Sequence, residues 1–263
     1  MKMLFKSNLR IVISIVFIIS AKNICAHNLN QDLEKLTHSI QRKYSFSSVT
    51  LSLSIPNQNK ELNFFSGSKS LSDKEKSNKK SLYKIGSITK TYTAALIYNL
   101  IQQNKLSLND KISTILPEYS LWKNVRIKNL LDNTSGIEDY INSKNWWDNF
   151  FDNPSKVWQK EELIQIAYQE PLLFHPGEKW GYANTNYVLL GSIIEKVNNE
   201  KNEASFTQLF SENNLKNSYF IPSIKDPLIV KNAVHGYDGQ KDLSELNSSW
   251  GQTVRRNVRQ SYR

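Results

Sequence analysis

Ser87 and Lys90 stand three residues apart, a spacing that can serve acyl transfer if both side chains rise from one face of a helix. Serine and lysine recur at that spacing at Ser66/Lys69, Ser77/Lys80 and Ser81/Lys84, so the interval alone carries little. Context separates Ser87 from the others: Gly86 precedes it and helically spaced apolar residues follow it. A serine in the first turn of a helix has free backbone N–H groups and the positive end of the helix dipole beside it. Both favour the oxyanion formed when it attacks a carbonyl. Lys90 would lie on the same face, with Cβ atoms about 5–6 Å apart, where an amine can accept or relay the serine proton. The same residues also fit an N-cap serine followed by a solvated lysine.

A second segment adds to the first. His175, Pro176 and Gly177 mark a loop that leads to Tyr182, Ala183 and Asn184 at the start of an apolar, helically spaced run. A tyrosine held near a lysine ammonium can serve as a base, and an asparagine amide two residues later can bind a substrate amide carbonyl. The plainer alternative makes Asn184 an N-cap and Tyr182 a loop aromatic.

Several elements must position these groups. Residues 27–45 read as a leading helix with Leu33, Leu36 and Ile40 on one face. Residues 48–55 alternate as a strand with Val49, Leu51, Leu53 and Ile55 on one side, and 61–65 form the return strand after a polar turn. A Ser- and Lys-rich loop, 66–80, follows. A helix is expected from Ser87 to about Gln103, burying Ile88, Tyr92, Ala95, Ile97, Leu100 and Ile101. After a connector closed by Pro117 come a short element at 125–131, an aromatic-rich stretch at 141–170 ending in a helix at 161–168, and a helix at 185–197. The aromatic stretch reads as subdomain core or cleft wall. Strands followed by a long helical region predict an α+β fold.

Composition excludes several function classes. Hydrophobic residues make up 39% and charged residues 22% of the 263 positions, ordinary for a globular domain. The net charge is +10, but the first 26 residues contribute four positive charges without an acid and the last thirteen contribute four more. The body is therefore near neutral, and no nucleic-acid partner is expected. Lys2, Lys6 and Arg10 precede an apolar run at 11–19 and small residues ending at Ala26. That layout predicts a secretory signal peptide over 1–26 and a periplasmic or secreted protein, touching membrane only through the leader. Cys25 is the single cysteine and falls within that leader, so disulfides, cysteine nucleophiles and cysteine metal sites are not expected in the mature chain.

Together the two chemical segments resemble the serine penicillin-recognising enzymes: class C β-lactamases, D-alanyl-D-alanine carboxypeptidases, penicillin-binding proteins and related esterases. Further landmarks carry the likeness between and beyond them: Leu106 to Ile112; Leu130, Leu131, Thr134, Ser135, Gly136 and Ile137; and Ala233, Gly236 and Tyr237. Asp132 and Asn133 stand where this family commonly has Thr and His. The resemblance implies a β-lactamase/transpeptidase-like antiparallel sheet flanked by helices with a helical subdomain. It implies Ser87 as acylated nucleophile, Lys90 as its proton partner, Tyr182 as general base and Asn184 as holder of the substrate amide. It implies no metal and no organic cofactor. The substrate would be a small molecule or peptide: a D-Ala-D-Ala stem peptide, a β-lactam or an ester.

One family motif has no counterpart. A Lys-Thr-Gly or His-x-Gly strand near the C-terminus supplies the second oxyanion N–H, and no match follows residue 240; His235 fits a structural role better. Four of the seven arginines crowd into the last nine positions. Residues 251–263 are therefore set apart from the hydrolase domain, 27–250, as a frame-shifted or replaced terminus of a decayed gene, with the C-terminal strands expected to be missing and bare edges on the 48–65 hairpin. Losing an oxyanion donor costs about 10²–10³ in rate, so present activity stays open beside the alternative of a non-catalytic peptidoglycan- or partner-binding protein of the same fold. A Ser-His-Asp lipase-type hydrolase is disfavoured, because no Gly-x-Ser-x-Gly elbow is present.

Overall fold

The computed structural model describes residues 29–55, 58, 60–72, 74–153, 156–221, 227–238, 241–242 and 252–256. The leader read at 1–26 lies outside them, as do residues 257–263.

A helix, α1 (Leu29–Lys43), opens the described chain. It lies on an antiparallel hairpin of β1 (Ser48–Ile55) and β2 (Lys60–Gly67), paired from Ser48 opposite Gly67 to Ile55 opposite Lys60. Among the described residues no further strand joins this hairpin. The helix faces it through Leu33, Thr37 and Ile40, and His38 Nδ1 meets Ser66 Oγ at 2.8 Å. Leu36, expected on the inner face, is instead 48% exposed, because the buried stripe is centred on Thr37.

β3 (Leu82–Lys84) leads through a 3₁₀ turn, Gly86–Ile88, into α2 (Thr89–Gln102). Gly86 takes φ +52°, a left-handed conformation that other L-residues adopt reluctantly, and this turns the chain from strand to helix. Ile88 belongs to the tighter turn, off the stripe of the following α-helix. It is accordingly 41% exposed rather than buried, whereas Ile97 and Leu100 are in the core as expected, joined there by Leu96.

Short helices follow, α3 (Ile112–Ile115) and α4 (Ile127–Leu131), then α5 (Lys144–Asp152) and α6 (Lys160–Tyr168). The aromatic stretch divides as core and surface: Trp146 and Trp158 are buried, and Trp147 is 41% exposed. α7 (Asn184–Asn198) packs against α2, α4, α6 and α8 (Asn202–Glu212). It buries Val188, Leu189, Leu190, Ile193 and Ile194, so it is apolar on most sides, as a helix at the centre of a domain must be.

Beyond α8 lie β4 (Ser218–Ile221), α9 (Pro227–Asn232), a small ladder of β5 (Tyr237–Asp238) with β6 (Lys241–Asp242), and β7 (Gln252–Arg256). β7 lies antiparallel between β3 and β4, with Lys84 opposite Val254 and Tyr219 opposite the same residue. Residues 252–256, part of the arginine-rich tail at 251–263, form by their backbone the middle strand of the sheet that leads to the nucleophile turn. His235 takes the structural place expected of it, with Nδ1 2.8 Å from Asp242 Oδ2 and its N–H donating to Lys69 O.

The segment between α4 and α5 is tied to the loop that leads into α7. Leu173 N–H donates to Gly136 O at 2.8 Å, Gly177 N–H to Thr134 O at 2.8 Å, and Gly181 N–H to Asn133 O at 2.9 Å. Gly136 makes this approach possible: it has φ +75°, and a Cβ there would stand 2.1 Å from Phe174 O. Gly136→Ala is expected to lower folding stability by roughly 2 kcal/mol or more, read by urea denaturation. The loss should be accompanied by faster proteolysis of the 173–181 loop.

Candidate active site

Both helices that frame the site begin close together, and each is preceded by a hydroxyl. Ser87 lies in the 3₁₀ turn ahead of α2, and Tyr182 lies two residues before α7. Ser87 Oγ and Tyr182 OH share a hydrogen bond at 2.9 Å. Lys90, in the first turn of α2, donates from Nζ to Ser87 Oγ at 3.1 Å and to Asn184 Oδ1 at 2.8 Å. All four residues expected from the sequence therefore meet in one place. Asn184 is the first residue of α7, with Ala183 at the cap, so it is free to point across to α2.

The directions of these bonds matter. A lysine ammonium only donates, so Ser87 Oγ accepts from Lys90 and its own proton is left for Tyr182. Tyr182 OH in turn donates to Asn184 Oδ1 at 3.4 Å. The ammonium also lies 5.0 Å from the Tyr182 ring centroid and 5.6 Å from that of Tyr187, within cation–π range of both. Ser87 and Tyr182 are exposed, whereas Lys90 and Asn184 are half-buried beneath them. The two hydroxyls thus face solvent, with the lysine and asparagine partly covered below them.

Two further positions, Asn133 and Asp139, support these groups. Asn133 holds the backbone on both sides of Tyr182: its carbonyl accepts from Gly181 N–H at 2.9 Å, and its Oδ1 accepts from Ala183 N–H at 3.4 Å and from Asn186 Nδ2 at 3.1 Å. It does so at φ +59°, a conformation asparagine tolerates better than most residues. Its neighbour Asp132 is turned the other way, accepting from Thr134 N–H at 3.0 Å.

Asp139 is the second. It is 4% exposed, and its Oδ2 accepts from Asn184 Nδ2 at 2.8 Å. Its carboxyl is held above the usual carboxylate range, chiefly by desolvation, against the opposing pull of hydrogen bonds from Asn184 and Ile141 and the charge of Lys90. No spacing in the sequence links Asp139 to Asn184. The available signal was an acid two residues after the apolar Ile137, in a segment otherwise headed for the core. Among the described residues, no group of three or more His, Cys, Asp or Glu side chains gathers as a metal set.

The family model for beta-lactamase matches residues 35–253. The chain belongs to that family. It is 30% identical over 174 residues to penicillin-binding protein 4* of Bacillus subtilis (strain 168), an alignment covering 65% of this chain and 37% of that protein. It is 32% identical over 155 residues to protein flp of Staphylococcus aureus (strain MW2), covering 57% and 29%. The chain thus spans about a third of the length of these curated relatives. Among solved structures, D-amino acid amidase from Ochrobactrum anthropi superposes with a TM-score of 0.72 at 20% identity, covering 86% of this chain and 67% of that one. The octameric penicillin-binding protein homologue from Pyrococcus abyssi gives 0.71 at 23%, covering 86% and 53%. These neighbours establish the β-lactamase/transpeptidase-like α+β fold expected from the sequence.

Asp139 also sets a pH dependence. A carboxyl whose folded-state value is raised adds stability below its unfolded value, about pH 4, and loses it as pH rises through the raised value. Asp139→Asn has no proton to lose. The stability of this variant relative to the unsubstituted protein should therefore improve from about pH 4 upward and then level off. Chemical denaturation at a series of pH values measures this. A constant difference across the range would show that Asp139 carries no such penalty.

Proposed function

We propose that this chain is a serine hydrolase that cleaves amide, ester or β-lactam bonds through an acyl-enzyme on Ser87. The observation that carries the reading is the set of hydrogen bonds joining Ser87, Lys90, Tyr182 and Asn184 at the paired starts of two helices.

The arrangement supports a sequence of proton movements. Tyr182, freed of its own proton in the reactive form, takes the proton of Ser87 as Oγ attacks the substrate carbonyl carbon. Lys90 stabilises the phenolate and then the developing charge near Oγ. The oxyanion faces the start of α2, where the Ser87 N–H and the helix dipole favour negative charge. When the tetrahedral intermediate collapses, the C–N or C–O bond breaks and the leaving group takes the proton back from Tyr182. Water then enters and the same groups run the steps in reverse order to release the acid. Asn184 keeps one Nδ2 hydrogen on Asp139, leaving the other to donate to a substrate amide carbonyl.

The names of the relatives support the substrate range. A penicillin-binding protein suggests β-lactams and the peptides they imitate, and a D-amino acid amidase suggests small amides. The basic start, the apolar run at 11–19 and the small residues ending at Ala26 support export to the periplasm or beyond.

A fluorescent penicillin should label the folded protein covalently. Labelling should vanish in Ser87→Ala and fall by about 10²–10⁴ in Tyr182→Phe or Lys90→Ala, the range for losing a positioned acid or base. Folded but unlabelled protein would favour the alternative, a non-catalytic binder of peptidoglycan peptides or of a partner.

A further inference from the structure

We propose that Asp139 is a positioning residue whose carboxylate dictates which end of the Asn184 carboxamide faces Lys90, and so aims the lysine N–H groups at Asn184 and Ser87. The inference rests on the acyl-enzyme reading and adds to it a residue that no spacing or motif marks.

A carboxamide has one accepting end and one donating end, and the two are nearly the same shape. Only the neighbours decide its orientation. On one side of Asn184 stands Lys90 Nζ at 2.8 Å, and on the other stands Asp139 Oδ2, also at 2.8 Å. An ionised carboxylate can only accept, so Nδ2 must face Asp139 and Oδ1 must face Lys90. With the amide reversed, its donor would face the ammonium and its acceptor would face the carboxylate. Asp139 is held in turn by Ile141 N–H at 3.4 Å on Oδ1, at the cap of the 3₁₀ turn Tyr140–Asn142. That turn is anchored to α7 where Tyr140 N–H donates to Thr185 Oγ1 at 3.0 Å. The line from this cap to the nucleophile therefore runs through Asp139, Asn184 and Lys90 to Ser87.

A purely structural role, capping the start of α7, would be served as well by a neutral side chain. Burying a charge at 4% exposure works against folding, as the raised carboxyl value reflects. A costly group kept in contact with the reacting set points to activity rather than stability.

Asp139→Asn preserves the shape but lets either of its own ends face Asn184, so the orientation is no longer dictated. The rate of acylation by fluorescent penicillin is expected to fall by about 10²-fold, the scale of a small misplacement in an active site. Melting temperature at neutral pH should be no lower than that of the unsubstituted protein. Because Asp139 acts through Asn184, the double variant Asp139→Asn/Asn184→Ala should acylate no more slowly than Asn184→Ala alone. The proposal is overturned if Asp139→Asn acylates within about twofold of the unsubstituted protein, or if the two losses multiply. It is equally overturned if lost labelling follows lost folded protein. Absence of labelling in the unsubstituted protein would instead remove the acyl-enzyme reading itself, and this proposal with it.

Discussion

Two helices begin side by side, and one hydrogen bond, from Lys90 Nζ to Asn184 Oδ1, ties their first turns together. The placement of the chemistry follows from it. Ser87 precedes α2 by two residues and Tyr182 precedes α7 by two, so docking the helix starts brings the two hydroxyls to 2.9 Å. Separating the helices by one side-chain width would leave each hydroxyl alone in solvent. The apolar packing of α7 against α2, α4, α6 and α8 holds that register from below, while the polar contacts set its direction at the top.

This division of labour explains why polar side chains occur where a core would otherwise be apolar. Thr185 and Asn186 are both fully buried at the start of α7. Thr185 donates to Glu138 O at 2.8 Å, and Asn186 Oδ1 accepts from Ser135 Oγ at 2.7 Å. Each fixes the α4–α5 segment against the helix that carries Asn184. Buried networks of this kind define one arrangement because a slipped register would leave their groups unpaired. Gly136 completes the junction by letting two backbones approach more closely than any side chain would permit.

The sheet is less central to the site than the helices. β7 meets β3 just before the nucleophile turn and so steadies Gly86 and Ser87 from the strand side. The β1–β2 hairpin, by contrast, packs with α1 and meets the rest of the chain through contacts such as Ser47 Oγ donating to His235 O at 2.9 Å. Ser48 Oγ also meets Tyr83 OH at 2.8 Å, joining the hairpin to β3 through side chains rather than a backbone ladder.

By itself, the sequence determined the helices and strands with clear periodicity and the four groups that meet at the site. Strand 48–55 agrees to the residue, and α6 and α7 agree to within one. Their apolar spacing is a local property that survives without knowledge of the fold. Ser87, Lys90, Tyr182 and Asn184 were legible because their places at two helix starts were joined by the resemblance to the serine penicillin-recognising enzymes. Tertiary structure alone decided the rest. α8 and β4 carry no sharp boundary signal, and β7 carries a composition unlike the rest of the chain. Asn133 and Asp139 act on groups 45 to 53 residues away. Hydrogen bonds of that range depend on how helices pack, and packing is set by the whole core rather than by any one segment.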